Sequence, residues 1–286
     1  MDGQSTKSTS ERIPSQSLAL FACEEHELTA QRIIFQLFRH PRQMDNIYTS
    51  ISSVPTSFVG ANGEIRLSSV LCLMQDAASV HASLLGLGFN ELYPINRTFI
   101  LSRTELKVCG KLPHWGERIT LQTWPRGLER LYAFRDYELS LEGQTQPFLK
   151  ASTAWLLIDT VNRRPVRPQD MFVGITTRDI EALDADSPHK LGWDEALPAY
   201  ETRKARASDL DLNAHVNNTR YIDWIGDCVA QTQGLEAAIS ELCINYMGEI
   251  HPGEDVRLAM GENEKGRICI QGEGAKRNFA AELKLA

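Results

Sequence analysis

The chain of 286 residues reads as an α+β protein made of two similar units in tandem, each a curved antiparallel sheet lying against one long helix. Two observations predict this. Apolar residues recur at helical spacing in two stretches, one after Ser68 and one after Val216. Each stretch is preceded by a strand-like segment and followed by a run of β-branched and aromatic segments, so the order strand, helix, several strands occurs twice. Sequence identity between the halves is slight, and one large mixed sheet stays open as the alternative.

Taken in order, residues 1–17 read as a flexible tail, and 18–40 (LALFACEEHELTAQRIIFQLFRH) as one short accessory helix before Pro41, so that 1–42 stand apart from the first unit. The first unit is expected over 43–170. It opens with a strand between Ile47 and Pro55 and a turn at Gly60, Asn62 and Gly63. A helix follows with Val70, Leu73, Met74, Ala77, Val80, His81 and Leu84 on one face, opened by a Ser N-cap at 68 and closed by Gly86 and Gly88. RTFILSRTELKV, ERITLQTWPRG, ERLYAFRDYELSL and FLKASTAWLLIDT are four strands, and RRPVRPQD (163–170) closes the unit. Residues 171–198 read as a connection. The second unit, 199–286, repeats the order: a strand in ETRKARAS, a helix from near Val216 past Cys228, then ELCINYMGEI, DVRLAMGE, RICIQGEG and FAAELKLA.

Bulk properties exclude several function classes. The net charge is −7, with 11 Lys+Arg against 19 Asp+Glu in residues 181–286 and 14 against 13 in residues 43–180. Neither half carries the concentrated positive footprint that nucleic acid requires. No apolar run approaches the ~18 residues of a membrane helix, and the N-terminus lacks the apolar core of a secretory signal. Its Ser/Thr richness resembles an organelle transit peptide, but Glu11, Glu24, Glu25 and Glu27 do not, so the expected location is cytoplasmic. The six cysteines are scattered without a C-x-x-C pair and read as reduced, mostly buried residues. The histidines show no metal-ligand spacing, so neither a metal nor a cofactor is expected.

The chemistry-bearing segment is DLDLNAHVNNTRYIDW, 209–224. Asp211, Asn213 and His215 alternate just ahead of the second helix, and in an extended stretch all three would share one face. Short polar residues before a helix ordinarily serve as caps or Asx-turns; three at one parity, followed by Asn217 and Asn218, leave cap and catalytic readings equally weighted. A helix start also offers unpaired N–H groups and a positive dipole end, which suit a developing oxyanion.

This segment resembles the D-x-N-x-H-V-N-N-x-x-Y-I-x-W run of the acyl-ACP thioesterases of plants and bacteria. LMQDAASVHASLLGLGF resembles the family's first-domain helix, and LPHWGERITLQTWPRGLERLYAFRDYEL its strand region; together the matches span roughly 47–260. The resemblance implies a tandem double hotdog fold, an acyl cavity formed largely by the first domain, and hydrolysis of a fatty acyl thioester on acyl carrier protein. It places the family's catalytic Asp, Asn and His on Asp211, Asn213 and His215. The Glu of its Y-R-R-E-C run falls on Glu249 in Tyr246-Met247-Gly248-Glu249-Ile250. Plant members commonly carry Cys where this chain has Ile250, so a thiolate mechanism is disfavoured and a carboxylate one retained.

On this reading Glu249 activates water within an Asp211–Asn213–His215 network, and the backbone N–H groups of Val216 and Asn217 stabilise the oxyanion; whether Asp211 is instead the base or nucleophile stays open. Met74, Ala77 and Ala78 are expected to line the acyl cavity, Arg163, Arg164 and Arg167 to dock the acidic carrier protein, and Trp115, Trp124 and Trp155 to pack sheet and cavity. His81 is expected to be a packed core residue. The partner is acyl carrier protein bearing a phosphopantetheine thioester, and a homodimer is left open. The rival readings are an acyl-CoA thioesterase and a non-catalytic acyl-binding protein; a hotdog dehydratase does not suit the Asn-rich run.

Overall fold

The computed structural model describes residues 46–178 and 180–286; the tail, the accessory helix and Cys23 lie outside them. The first half holds β1 (Tyr48–Ser53), α1 (Leu67–Leu84), α2 (Phe89–Leu92), β2 (Arg97–Val108), β3 (Arg118–Glu129), β4 (Tyr132–Leu141), β5 (Pro147–Asp159) and β6 (Arg164–Val166). The second holds β7 (Ala199–Lys204), α3 (Asn218–Gln233), β8 (Ile239–Tyr246), β9 (Asp255–Glu262), β10 (Ile268–Glu273) and β11 (Arg277–Leu285). The one-turn α2 and three-residue β6 are too short to leave a periodic signal and were not expected.

All eleven strands among the described residues join one sheet in the order β1-β3-β4-β5-β2-β8-β11-β10-β9-β7, with β6 paired to β5. Every described pairing is antiparallel. In each half the first strand lies at the outer edge, the helix follows it, and the second strand lies at the centre. Those two second strands, β2 and β8, pair across the middle with Glu105 opposite Cys243 and Leu106 opposite Leu242. The repeated units therefore join into a single sheet as a tandem double hotdog, antiparallel in every described pairing rather than the mixed sheet posed as the alternative. Antiparallel pairing of equivalent strands is what an internal twofold relation demands.

Helix α1 packs on β1 and β3, and α3 touches α1. The α1 face differs from the expected one. Its buried residues are Ser68, Ser69, Val70, Leu71, Met74, Ala77, Ala78 and His81, whereas Val80 and Leu84 are exposed. The stripe 70-71-74-77-78-81 follows the helical repeat, and 80 and 84 fall off its side. Ser68 is not the N-cap: Arg66 holds that position, and its side chain makes no capping bond to the helix. The C-terminal end behaves as expected. Gly86 adopts φ +75°, its N–H donates to Ser83 O, and the Leu87 N–H donates to Ala82 O. This is the paired bonding of a Schellman motif, which selects glycine at that position.

The connection after β6 straps across the sheet. Ala182 N–H donates to the Asp136 carboxylate (2.9 Å), the Trp124 indole to Ile180 O (2.9 Å), and Leu191 N–H to Asn245 Oδ1 (2.9 Å). Trp124 is buried as expected, but Trp115 is an exposed turn residue. The five described cysteines are unpaired; Cys228 and Cys243 are buried, Cys72 and Cys269 half-buried and Cys109 exposed. Among the described residues no single helix is long and apolar enough to cross a membrane.

Candidate active site

The conspicuous segment is not extended. Asp211 N–H donates to His215 O (2.8 Å), and Leu210 bridges to Val216, so residues 211–215 form a closed turn with Ala214 at φ +59°. The Asp211 carboxylate points into that turn. Its Oδ1 accepts the N–H groups of Asn213 (2.8 Å) and His215 (3.4 Å). The expected alternation on one face is thus replaced by an Asx-type turn, in which Asp211 organises the backbone carrying the other two residues. Leu212 and Asn213 are exposed, and among the described residues the Asn213 side chain makes no hydrogen bond.

Helix α3 begins where the motif predicts. Asn217 is its N-cap, accepting from the Thr219 N–H (2.9 Å) and hydroxyl (2.9 Å). Tyr221, Ile222 and Trp224 are buried, with Tyr221 packed edge-on against Tyr246 and Phe279. The motif's second half is therefore core.

The expected oxyanion donors are not available. Val216 N–H donates to Ile250 O (3.0 Å), and Asn217 N–H to Asp209 O (2.9 Å). The reason is local: N–H groups at a helix start stay open only where no other backbone approaches, and here the β8–β9 connection reaches Val216 and the preceding Asp209 carbonyl reaches Asn217. The Asn218 N–H, the first inside the helix, finds no acceptor among the described residues. The Val216–Ile250 bond has its own consequence, because it ties the residue after His215 to the residue after Glu249.

Glu249 lies not on a strand but three residues past the end of β8. The fully buried Asn278 holds it there, its amide donating to Glu249 O (3.1 Å) and its carbonyl accepting from Gly274 N–H (2.7 Å). A Cβ on Gly248 would stand 2.9 Å from Arg277 O, so the backbone passes too close for the arginine of the related run. The side chain of Glu249 faces two ways. Oε1 stands 3.8 Å from His215 Nδ1, and Oε2 accepts from the Arg163 guanidinium at 2.8 Å. Arg163 sits in the β5–β6 turn at φ +52°, 73% exposed, beside the equally surface-facing Arg164 and Arg167. A residue expected only at a docking surface thus touches the catalytic candidate from the other half of the molecule.

Sequence reasoning missed His251. Its ring stands edge-on to His215 at 4.9 Å, and the ligating atoms of His215, Glu249 and His251 all lie within 4.8 Å of one another. His251 is half of a tight turn: its N–H donates to Glu254 Oε2 (3.0 Å), and Gly253 N–H to Ala205 O (2.9 Å). The signal in the sequence is only a His two residues past Glu249. Cys243, the described cysteine nearest to Glu249 in sequence, does not stand in for these groups. Cys243 is buried, and desolvation, with Glu105 and Glu282 nearby, pushes its thiol well above the ordinary range.

A cavity of about 290 Å³ opens between α1, α2 and the first-half sheet, lined by Ala78, Leu87, Phe99, Phe134 and Trp155 among others. Of the three residues expected there, only Ala78 lines it; Met74 and Ala77 are buried in the core instead. Its charged lining residue is Arg135, whose Nη1 donates to His81 Nδ1 (3.0 Å) and Thr123 Oγ1 (3.1 Å). Burial draws the Arg135 pKa down. His81 is 2% exposed, a core residue as expected. Strand β2 links cavity and site: Thr98 and Phe99 line the cavity, and its other end pairs with β8, which leads to Glu249.

Comparison with known proteins gives this arrangement a context. The profile of the acyl-ACP thioesterase N-terminal domain matches residues 45–175, and that of the acyl-ACP thioesterase C-terminal domain residues 197–280. An acyl-[acyl-carrier-protein] hydrolase of Cuphea viscosissima is 24% identical over 75% of this chain, and a palmitoyl-acyl carrier protein thioesterase of Arabidopsis thaliana 26% identical over 75%. Both are named chloroplastic, and the chain spans 58% of the length of each. The fold is that of an acyl-ACP thioesterase from Bacteroides thetaiotaomicron (TM-score 0.76, 21% identity, 84% of this chain and 98% of that one). It is also that of the 12:0-ACP thioesterase from Umbellularia californica (TM-score 0.74, 20% identity, 85% of this chain and 98% of that one). The two profiles cover well over half of the sequence, one on each repeated unit: the chain belongs to the acyl-ACP thioesterase family.

Proposed function

We propose that the chain hydrolyses a fatty acyl thioester held on acyl carrier protein, releasing free fatty acid in fatty acid biosynthesis. The observation that carries this reading is the meeting of His215 with Glu249, brought from separate segments of a family-matched half and left open to solvent. In the proposed step a water held between them attacks the thioester carbonyl carbon. Glu249 takes the water proton as general base. The C–S bond breaks as the tetrahedral intermediate collapses, and Glu249 returns the proton it took to the phosphopantetheine sulfur, which leaves as the thiol. Arg163 on Oε2 fixes the orientation of Glu249 and leaves Oε1 towards His215. The Asn213 amide and the Asn218 N–H are the open donors for the oxyanion. Asp211 is a positioning residue, since its Oδ1 is already engaged by two backbone N–H groups.

The acyl chain occupies the 290 Å³ cavity, near the lower end of the ~300–1,000 Å³ of small-molecule pockets. Arg163, Arg164 and Arg167 steer the acidic carrier protein to the site by complementary charge. Residues 43–170 and 199–286 act as the two domains and 171–198 as their connection, a division supported by the identical strand order of the halves. The cytoplasmic placement belongs to the same reading; entry into plastids of a reporter fused to residues 1–42 overturns it.

Thiol release measured on matched acyl-ACP and acyl-CoA of several chain lengths tests the activity. Faster turnover of the carrier-protein thioesters supports the proposal. Preference for acyl-CoA moves the substrate to the rival carrier, and absence of release from either leaves the non-catalytic acyl-binding protein.

A further inference from the structure

We infer that His215, Glu249 and His251 form a binding site for a divalent transition-metal ion such as Zn2+, and that its occupancy blocks hydrolysis. Binding stands on geometry alone; the block rests on the function proposed above.

Three donors converge from two separate segments, their ligating atoms within 4.8 Å of one another. Two imidazoles and a carboxylate are the donor set of open zinc sites, which keep the fourth position for water. Zinc bonds of about 2.0–2.2 Å place donors on the order of 3.3 Å apart. Closing the present spacing therefore needs small side-chain rotations, and the half-buried His215 and exposed His251 are free to make them. The backbones beneath do not have to move. Both are pinned, His215 by the Asp211 turn and His251 by the turn to Glu254 and Ala205. Imidazole donors select zinc, copper or nickel over magnesium and calcium.

Glu249 can serve the ion without releasing its present partner, because Arg163 holds Oε2 and Oε1 faces His215. The guanidinium opposes a cation, but at 73% exposure the high dielectric of the surrounding water weakens that repulsion. Once bound, the ion occupies the lone pairs of Glu249 and His215 that the hydrolytic step uses for its water. His251 is the third donor and has no part in that step.

The test is calorimetric titration of Zn2+ into the whole chain and into His251→Ala and His251→Gln, the second keeping a polar side chain of similar reach. The site predicts one Zn2+ per chain and at least ~10-fold weaker binding in both variants, about 1.4 kcal/mol, with no heat from Mg2+. Thiol release should fall with the same Zn2+ dependence, recover with a chelator, and need ~10-fold more Zn2+ in the variants. Absence of Zn2+ binding, or equal affinity in wild type and variants, overturns the site. Should His251-dependent binding persist in a chain that releases no thiol without metal, the site stands and the hydrolytic reading falls.

Discussion

Asp211 carries its weight through the backbone, and this makes its charge and its shape separable. Asp211→Ala removes the acceptor for two N–H groups, which costs about 1–2 kcal/mol and lets His215 drift. A displacement of ~1 Å is enough to cost ~10²-fold in rate. Asp211→Asn keeps an oxygen at the same place and should restore most of kcat; equal loss in both variants would make Asp211 a chemical participant. Asp136 offers a pH test. It is fully buried, and desolvation raises its pKa despite the Ala182 N–H, Arg126 and Ser152 around it. The native state thus holds this proton more tightly than the unfolded chain. Its contribution is present below the ordinary ~4 of an aspartate and is lost as pH rises through the folded value. Thermal melts from pH 7 to 4 should show wild type gaining on Asp136→Asn as pH falls. Asp211, Asn213 and His215 were legible as a motif because they are contiguous. His251 and the Arg163 contact were not, because proximity across 36 and 86 residues leaves no local pattern.

At the scale of elements, the site is a pair of connections clamped together. The 209–217 loop and the β8–β9 connection share the Val216–Ile250 bond, and Asn278 on β11 holds the second one. Asn278→Ala leaves buried partners unpaired and should cost about 2–3 kcal/mol, with a further loss of kcat because Glu249 is freed; denaturant titration and thiol release read the two effects separately. Strand limits were read within a few residues because alternation and turn residues are local. Glu249 was placed on a strand because ELCINYMGEI continues to look like one. The ladder stops at Tyr246, where the β11 partner turns away through Asn278, a fact of tertiary pairing rather than propensity. The same reasoning covers Val216 and Asn217: helix starts are visible in sequence, the carbonyls that occupy their N–H groups are not.

At the scale of the molecule, one sheet and one core bind the halves. Leu106 and Leu242 pair across the β2–β8 seam, both essentially buried, within a hydrophobic cluster containing residues of α1 and α3 alike. Leu242→Ala should cost about 2–5 kcal/mol and lower a single calorimetric transition; two resolved transitions would show the halves melting independently. Tandem repetition was legible from element order, whereas the joining of the two sheets was not, since nothing local marks which strands become neighbours. The seam joins the halves, and Arg163 of the first meets Glu249 of the second. Thiol release from acyl-ACP by Glu249→Gln, with an unchanged melting temperature as control, tests that placement most directly. A general base at this position predicts a fall in kcat of about 10²–10⁴-fold, and a rate within twofold of wild type would contradict it.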